Sequence, residues 1–199
     1  MGFVRRNTYY TGIVYEWNLP TGWTCPQAHE CLVRVDMKTG KADNLSNAYR
    51  CYAASAERYP TARLSRWRNL MDARKLEIPP LPEQAHAVRI HASGDFFSQR
   101  YFDAWLAFIR QYPATDFWAF TKSVQFWANR LGDLPPNLVM TASLGGKQDH
   151  LVPHYDLRYA QVVASQEEAD ELGLQIDTND DLARKRGPSF ALLDKRSSE

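Results

Sequence analysis

The sequence predicts an α/β protein: a parallel sheet with crossover helices, either open or curled into a partial (β/α) barrel, behind a cysteine-bearing N-terminal segment. Two patterns predict the sheet. Short apolar runs alternate with helix-like stretches from residue 87 onward. Small polar residues then follow each run, where parallel sheets place their ligands. The third observation concerns the N-terminal segment: all three cysteines lie between residues 25 and 51. A chain of 199 residues with 44% apolar and 13% aromatic residues can build one domain with a dense core. We divide it into a cysteine-bearing segment (1–78), a βα core (79–179) and a loose polar tail (180–199).

Residues 1–24 read as irregular or short-strand structure leading to Cys25. Residues 32–36 and 41–45 flank Met37-Lys38-Thr39-Gly40, a turn that suits a hairpin inserted between the second and third cysteines. Residues 51–76 are helix-like, opening with Ala53, Ala54 and Ala56 and interrupted by Pro60. Pro79-Pro80-Leu81-Pro82 is a firm break. Residues 87–92 then read as a buried strand. Ser98 is an N-cap for a helix whose Tyr101, Phe102, Trp105, Leu106, Phe108 and Ile109 share one face. Residues 117–121, 138–143 and 160–164 are further strands, with a short helix at about 124–131. Ser165 and Glu168 form a capping box, Gly173 suits a helix end, and residues 174–177 form a last short strand.

A formal charge of +1 excludes strong global attraction to nucleic acid or anionic membrane. No run approaches the roughly 18–20 apolar residues that cross a bilayer. With an odd number of cysteines and no export signal at the N-terminus, a reducing cytoplasm is the expected compartment.

The strand ends carry His91, Ser93, Gly94 and Asp95, then Thr121, Lys122 and Ser123, then Ser143, Gly145 and Gly146, then Ser165. The lone serines suit helix caps. Ser93-Gly94-Asp95 with Lys122 reads as a site, because neither capping nor packing requires that Gly-Asp pair. Of the histidines, only His91 is placed to serve it. The three thiols admit three readings. Soft thiolates select zinc, Cu(I) or iron–sulfur clusters. A Cys₃His zinc site would use His29 or His91, although five residues separate Cys25 from Cys31 where two to four are usual. A [4Fe–4S] cluster on three cysteines keeps one iron open to a ligand. Buried idle thiols are the third reading.

These residues resemble those of the phage and plasmid gene product 88-like family, whose cysteine pattern in turn resembles that of radical S-adenosylmethionine enzymes. The likeness runs through Thr24-Cys25-Pro26, Cys31, Arg50-Cys51-Tyr52-Ala53-Ala54, Ser65-Arg66-Trp67 and Asn69. It continues through residues 88–98, Phe120-Thr121-Lys122-Ser123, Asn137-Leu138-Val139 and Gly187-Pro188-Ser189-Phe190. The resemblance implies a partial barrel with a [4Fe–4S] cluster at its mouth, held by Cys25, Cys31 and Cys51. It implies S-adenosylmethionine on the open iron, its amino group near Ser93, Gly94 and Asp95. Tyr52 would cover the cluster, with His91 and Lys122 lining the cavity. The spacing departs from the CxxxCxxC of those enzymes, since five and then nineteen residues intervene here.

A second constellation is Arg58, Arg63, Arg66, Arg68, Arg74 and Lys75, interleaved with Tyr59 and Trp67. Guanidinium groups beside aromatic rings can hold a phosphate backbone and stack bases, so a non-catalytic nucleic-acid-binding protein with a structural metal is the rival expectation. A zinc-stabilised hydrolase is a third.

Overall fold

A computed structural model of the chain describes residues 2–6, 12–43 and 51–194. The expected α/β architecture is present as an open eight-stranded sheet, mostly parallel, in the order β1-β2-β3-β4-β5-β6-β8-β7. Its strands are β1 (Val4–Arg6), β2 (Val14–Trp17), β3 (Ala87–Ile90), β4 (Asp116–Thr121), β5 (Leu138–Ser143), β6 (Tyr159–Val163), β7 (Gln175–Ile176) and β8 (Phe190–Leu193). Only β1 runs antiparallel, against β2. The sheet does not close: β1 and β7 are its two edges.

The helices are α1 (Pro60–Arg74), α2 (Gln99–Ile109), α3 (Val124–Ala128), α4 (Leu151–His154) and α5 (Gln166–Glu171). Each start has a local cause. Pro60 does not break the helix-like stretch but begins α1, since its fixed φ and missing N–H suit a first helical position. The Ser98 side chain accepts the Tyr101 N–H, and Ser165 accepts the Glu168 N–H while the Glu168 carboxylate accepts the Ala164 N–H. Among the described residues no helix is long and apolar enough to cross a membrane.

Strand side chains alternate between faces. Val88, Ile90, Phe117, Ala119, Leu138, Met140 and Ala142 pack against α1, α2 and α3 in the main core. Tyr101, Phe102, Trp105, Leu106 and Ile109 of α2 are buried there, each contributing roughly 2 kcal/mol by leaving water. Val14, Ala87, Trp118, Ala160 and Phe190 face the other way, where Ala183 and Leu182 cover them.

Crossover handedness explains both faces. The steps from β2 through β6 all move in one direction, so right-handed crossovers lay their helices on one face. The step from β7 back to β8 reverses direction, and its connection crosses the opposite face. The expected loose tail is therefore mostly structured: residues 180–189 complete this cover, and Phe190–Leu193 pair with both β6 and β7. Residues 195–199 lie outside the described residues. The inserted hairpin is reduced to one antiparallel bridge, Val35 with Ala42, and its last residues, 44 and 45, are likewise outside, as is Arg50.

Candidate functional site

The cysteine segment occupies the crossover from β2 to β3, and residues 18–24 lead from the end of β2 to Cys25. Main-chain bonds lock the loop there. Leu19 N–H donates to the Ser93 carbonyl (2.9 Å), the Ser93 hydroxyl donates to the Leu19 carbonyl (2.8 Å), and Ser93 N–H donates to Asn18 Oδ1 (3.0 Å). Gly94 takes φ 82°, and a Cβ there would lie 2.6 Å from both Leu19 Cβ and Thr24 Oγ1. Only glycine permits that approach. Ser93-Gly94 is thus the seat on which the loop leading to Cys25 rests.

The stretch between the first two cysteines is tied to the end of β5. Ala28 bridges Gly146, Lys147 N–H donates to the Gln27 carbonyl (2.9 Å), and Glu30 N–H donates to the Gly145 carbonyl (3.4 Å). Lys122 secures the same corner: its ammonium donates to the Ser143 carbonyl (2.9 Å), the Ser143 hydroxyl (3.2 Å) and the Leu144 carbonyl. Cys51 begins the third approach, capping a 3-10 helix (Tyr52–Arg58). Glu57 in that helix is fully buried; its Oε1 accepts Arg66 Nη1 (2.8 Å) and the Thr21 N–H (2.8 Å). One carboxylate therefore joins the helix after Cys51, α1 and the loop before Cys25.

All three cysteines are free thiols, partly exposed. Burial pushes Cys25 well above its ordinary value, with the charges of Asp95, Cys51 and Cys31 adding. Burial likewise raises Cys31, opposed by the Lys122 ammonium and reinforced by Asp95. Cys51 is pushed up to about 11 by burial and then by Cys31, while Arg66 opposes. The charges of Cys51 and Cys31 thus act on Cys25 and that of Cys31 on Cys51, while Asp95 acts on Cys25 and Cys31, and Lys122 on Cys31. Among the described residues, no group of three or more His, Cys, Asp or Glu side chains is placed to hold a metal ion.

The sequence profile described as Gene product 88 matches residues 4–198. The chain belongs to the Gene product 88 family. It is also similar to the Gene 88 protein of Mycobacterium phage D29, 28% identical over 167 residues that cover 68% of this chain and 63% of that protein. The chain therefore spans less than two thirds of that relative's length. No solved structure matches.

In this Gene product 88 chain the expected site residues divide. Cys25, Cys31 and Cys51 are linked electrostatically to one another, Cys25 and Cys31 to Asp95, and Cys31 to Lys122. The Asp95 carboxylate is a staple between two strand-end loops: Oδ1 accepts the Thr121 hydroxyl (2.6 Å) and the Phe96 N–H (2.7 Å), and Oδ2 accepts the Lys122 N–H (2.9 Å). Burial outweighs those bonds and raises Asp95 to about 6. Tyr52 leaves its ring largely exposed, yet its hydroxyl donates to the Ala92 carbonyl (2.7 Å) and accepts Arg89 Nη2 (3.2 Å). Burial of that hydroxyl raises it, partly offset by Arg89.

His91 is not at the site. Its left-handed backbone (φ 59°) turns the ring into the helix-side core, among Phe96, Tyr101 and Trp105. Among the arginines, Arg63 and Arg66 are buried structural residues. Arg63 donates to the carbonyls of Met37 (2.8 Å), Glu57 (2.7 Å) and Arg58 (3.1 Å), leaving Arg58, Arg68 and Arg74 exposed. Sequence reasoning missed Glu57 and Arg89. Glu57 carried a signal: it is the lone acid among residues 51–71, in a run otherwise basic.

Proposed function

We propose that this Gene product 88 protein is an iron–sulfur protein of radical S-adenosylmethionine-like type, with Cys25, Cys31 and Cys51 holding a [4Fe–4S] cluster at the strand ends and acting on a substrate there. The observation that carries the reading is that hydrogen bonds tie the approaches to three free thiols to one another and to the strand ends: the Cys25 loop to Ser93, the stretch between Cys25 and Cys31 to Gly145 and Gly146, and the helix after Cys51 to Thr21 through Glu57.

The donor set fits. Burial raises all three thiols, and a cationic metal centre among them would favour their thiolate forms. Four ligands around one zinc would sit about 3.8 Å apart, from Zn–S bonds of about 2.3 Å. Thiolates on different irons of one cubane lie roughly 6–7 Å apart, so the spacing of the three sulfurs distinguishes the two arrangements. When bound, such a cluster supplies one electron and an open iron for the sulfonium cofactor.

The chain's own residues position these ligands. Ser93 and Gly94 seat the Cys25 loop, Lys122 anchors the corner beside Cys31, and the Glu57–Arg66 pair fixes the approach of Cys51. Asp95 would act through the loops it joins, and the Tyr52 ring would lie over the cluster. Because Trp118, Leu182, Ala183 and Phe190 fill the inner face of the sheet, a substrate would be handled at the rim. The nucleic-acid reading is weaker, since two of its five arginines hold internal carbonyls.

Anaerobic purification or reconstitution should give a brown protein with about four irons per chain. Cys→Ala at any of the three positions should lower the iron content and bleach the visible absorbance. A colourless, iron-free chain after reconstitution overturns the proposal; one zinc per chain replaces it with a structural metal.

A further inference from the structure

α1, in the crossover from β2 to β3, and α5, in the crossover from β6 to β7, carry opposite charge on their exposed faces, and each exposes apolar side chains. Helix α1 turns Arg63, Arg66, Leu70 and Ala73 inward and presents Leu64, Arg68, Met71 and Lys75 outward, at positions that share one helical face. Leu64 and Met71 are 40% and 62% exposed, and Trp23, packed on Trp67 at 5.8 Å, widens the face. Of the basic side chains in residues 52–75, Arg58, Arg68, Arg74 and Lys75 are exposed, while Arg63 and Arg66 are buried, Arg66 against Glu57. Helix α5, beside the edge strand β7, exposes Glu167, Asp170 and Glu171, followed by Leu172 at 45% exposure.

We propose that copies of this chain associate head to tail, the basic and apolar face of α1 in one copy docking on the acidic end at α5 and Leu172 of the next. Charge complementarity selects a second copy over other occupants, because the chain itself supplies both halves, each with exposed aliphatic residues at its centre. The contact joins different surfaces, so it is heterologous: it forms rings if the rotation closes and open chains if it does not. Complementary rim charges raise the association rate and lose strength as salt screens them. Short β7, with only Gln175 and Ile176 in its ladder, leaves little edge for strand pairing and makes the helix the contact at that end.

Sedimentation and light scattering on the full chain, at low and high salt, test this. The unmodified chain should form concentration-dependent oligomers that dissociate as salt rises. R68E/K75E and E167K/E171K alter exposed side chains, and each should weaken self-association at least about tenfold while keeping the far-UV spectrum. Mixing the two variants should restore association, because a reversed α1 then meets a reversed α5. A chain that is monomeric at every concentration and salt overturns the proposal. So does association that ignores both reversals, or a mixture that fails to reassociate. Iron content enters none of these readouts, so the cluster reading stands or falls separately.

Discussion

His91 shows how one buried residue shapes a pH response. Trp17 Nε1–H donates to Tyr101 Oη (3.0 Å), which directs the phenol proton to His91 Nε2 (3.0 Å) and leaves the imidazole proton on Nδ1. That Nδ1–H is buried without a partner among the described residues, and a second proton would fall on Nε2, displacing the Tyr101 hydrogen bond and leaving a buried charge without solvent. Burial accordingly lowers His91 from 6.5 to about 3. Between those values the unfolded chain binds a proton that the folded chain refuses. The contribution of His91 to stability therefore falls as pH drops below 6.5, approaching about 1.4 kcal/mol per unit. Asp95 has the opposite sign, because burial raises it from 3.8 to about 6 and its folded form holds a proton over that interval. Substitution separates the two. His91→Asn keeps a residue type that tolerates left-handed backbone, and the drop in its urea midpoint between pH 7 and pH 5 should be smaller than in the unmodified chain. An equal drop would mean that the imidazole reaches water.

At the scale of elements, the 3-10 helix after Cys51 and α1 are held together by charge inside the protein. Arg66 Nη1 reaches both Glu57 and the Ala53 carbonyl (2.9 Å), and the Glu57 carboxylate is wholly buried. Removing one partner strands the other without water. Arg66→Ala should cost about 3–5 kcal/mol in denaturant unfolding, and Arg68→Ala on the exposed face about 0.5 kcal/mol or less. Equal costs would show that Glu57 finds solvent. This pair also marks where the sequence was legible. Period and caps revealed β3, α2, β4, β5, β6 and the Ser165 capping box, because each depends on neighbours within a few residues. The strand-end motifs were readable for the same reason. Arg63 and Arg66 share a helical stripe with Leu70 and Ala73, yet their charge reads as solvent-facing. Their burial depends on Glu57 and on carbonyls as distant as Met37. Residues 1–24 read only as irregular or short-strand structure, because four-residue β2 takes its place in the sheet from β3, some seventy positions later. His91 read as a site residue because it precedes Ser93-Gly94-Asp95; its positive φ sends it to the other side.

Across the whole molecule, the sheet's one reversal of direction decides where chemistry has room. Residues 177–189 cross the face opposite the helices without regular structure, so side chains must hold them there. Arg158 does most of this: Nη2 donates to the Leu182 carbonyl (2.6 Å), Nη1 to Lys185 (2.6 Å) and Nε to Pro188 (3.0 Å), with the guanidinium 4.9 Å over Phe190. Arg89 to Asp180 (2.9 Å) fixes the near end, and Asp177 accepts the Ala183 N–H (2.9 Å). A polar tail becomes a cover because three carbonyls with no strand partner meet one planar donor. Arg158→Ala should therefore cost about 2–3 kcal/mol. It should also speed hydrogen exchange at the Ala183 and Arg184 amides while leaving those of β3, β4 and β5 protected, since the helix-side core does not involve this segment. If exchange rose equally in the central strands, the cover and the sheet would be one cooperative unit, and the inner face could not open without unfolding the strand ends that carry the thiols.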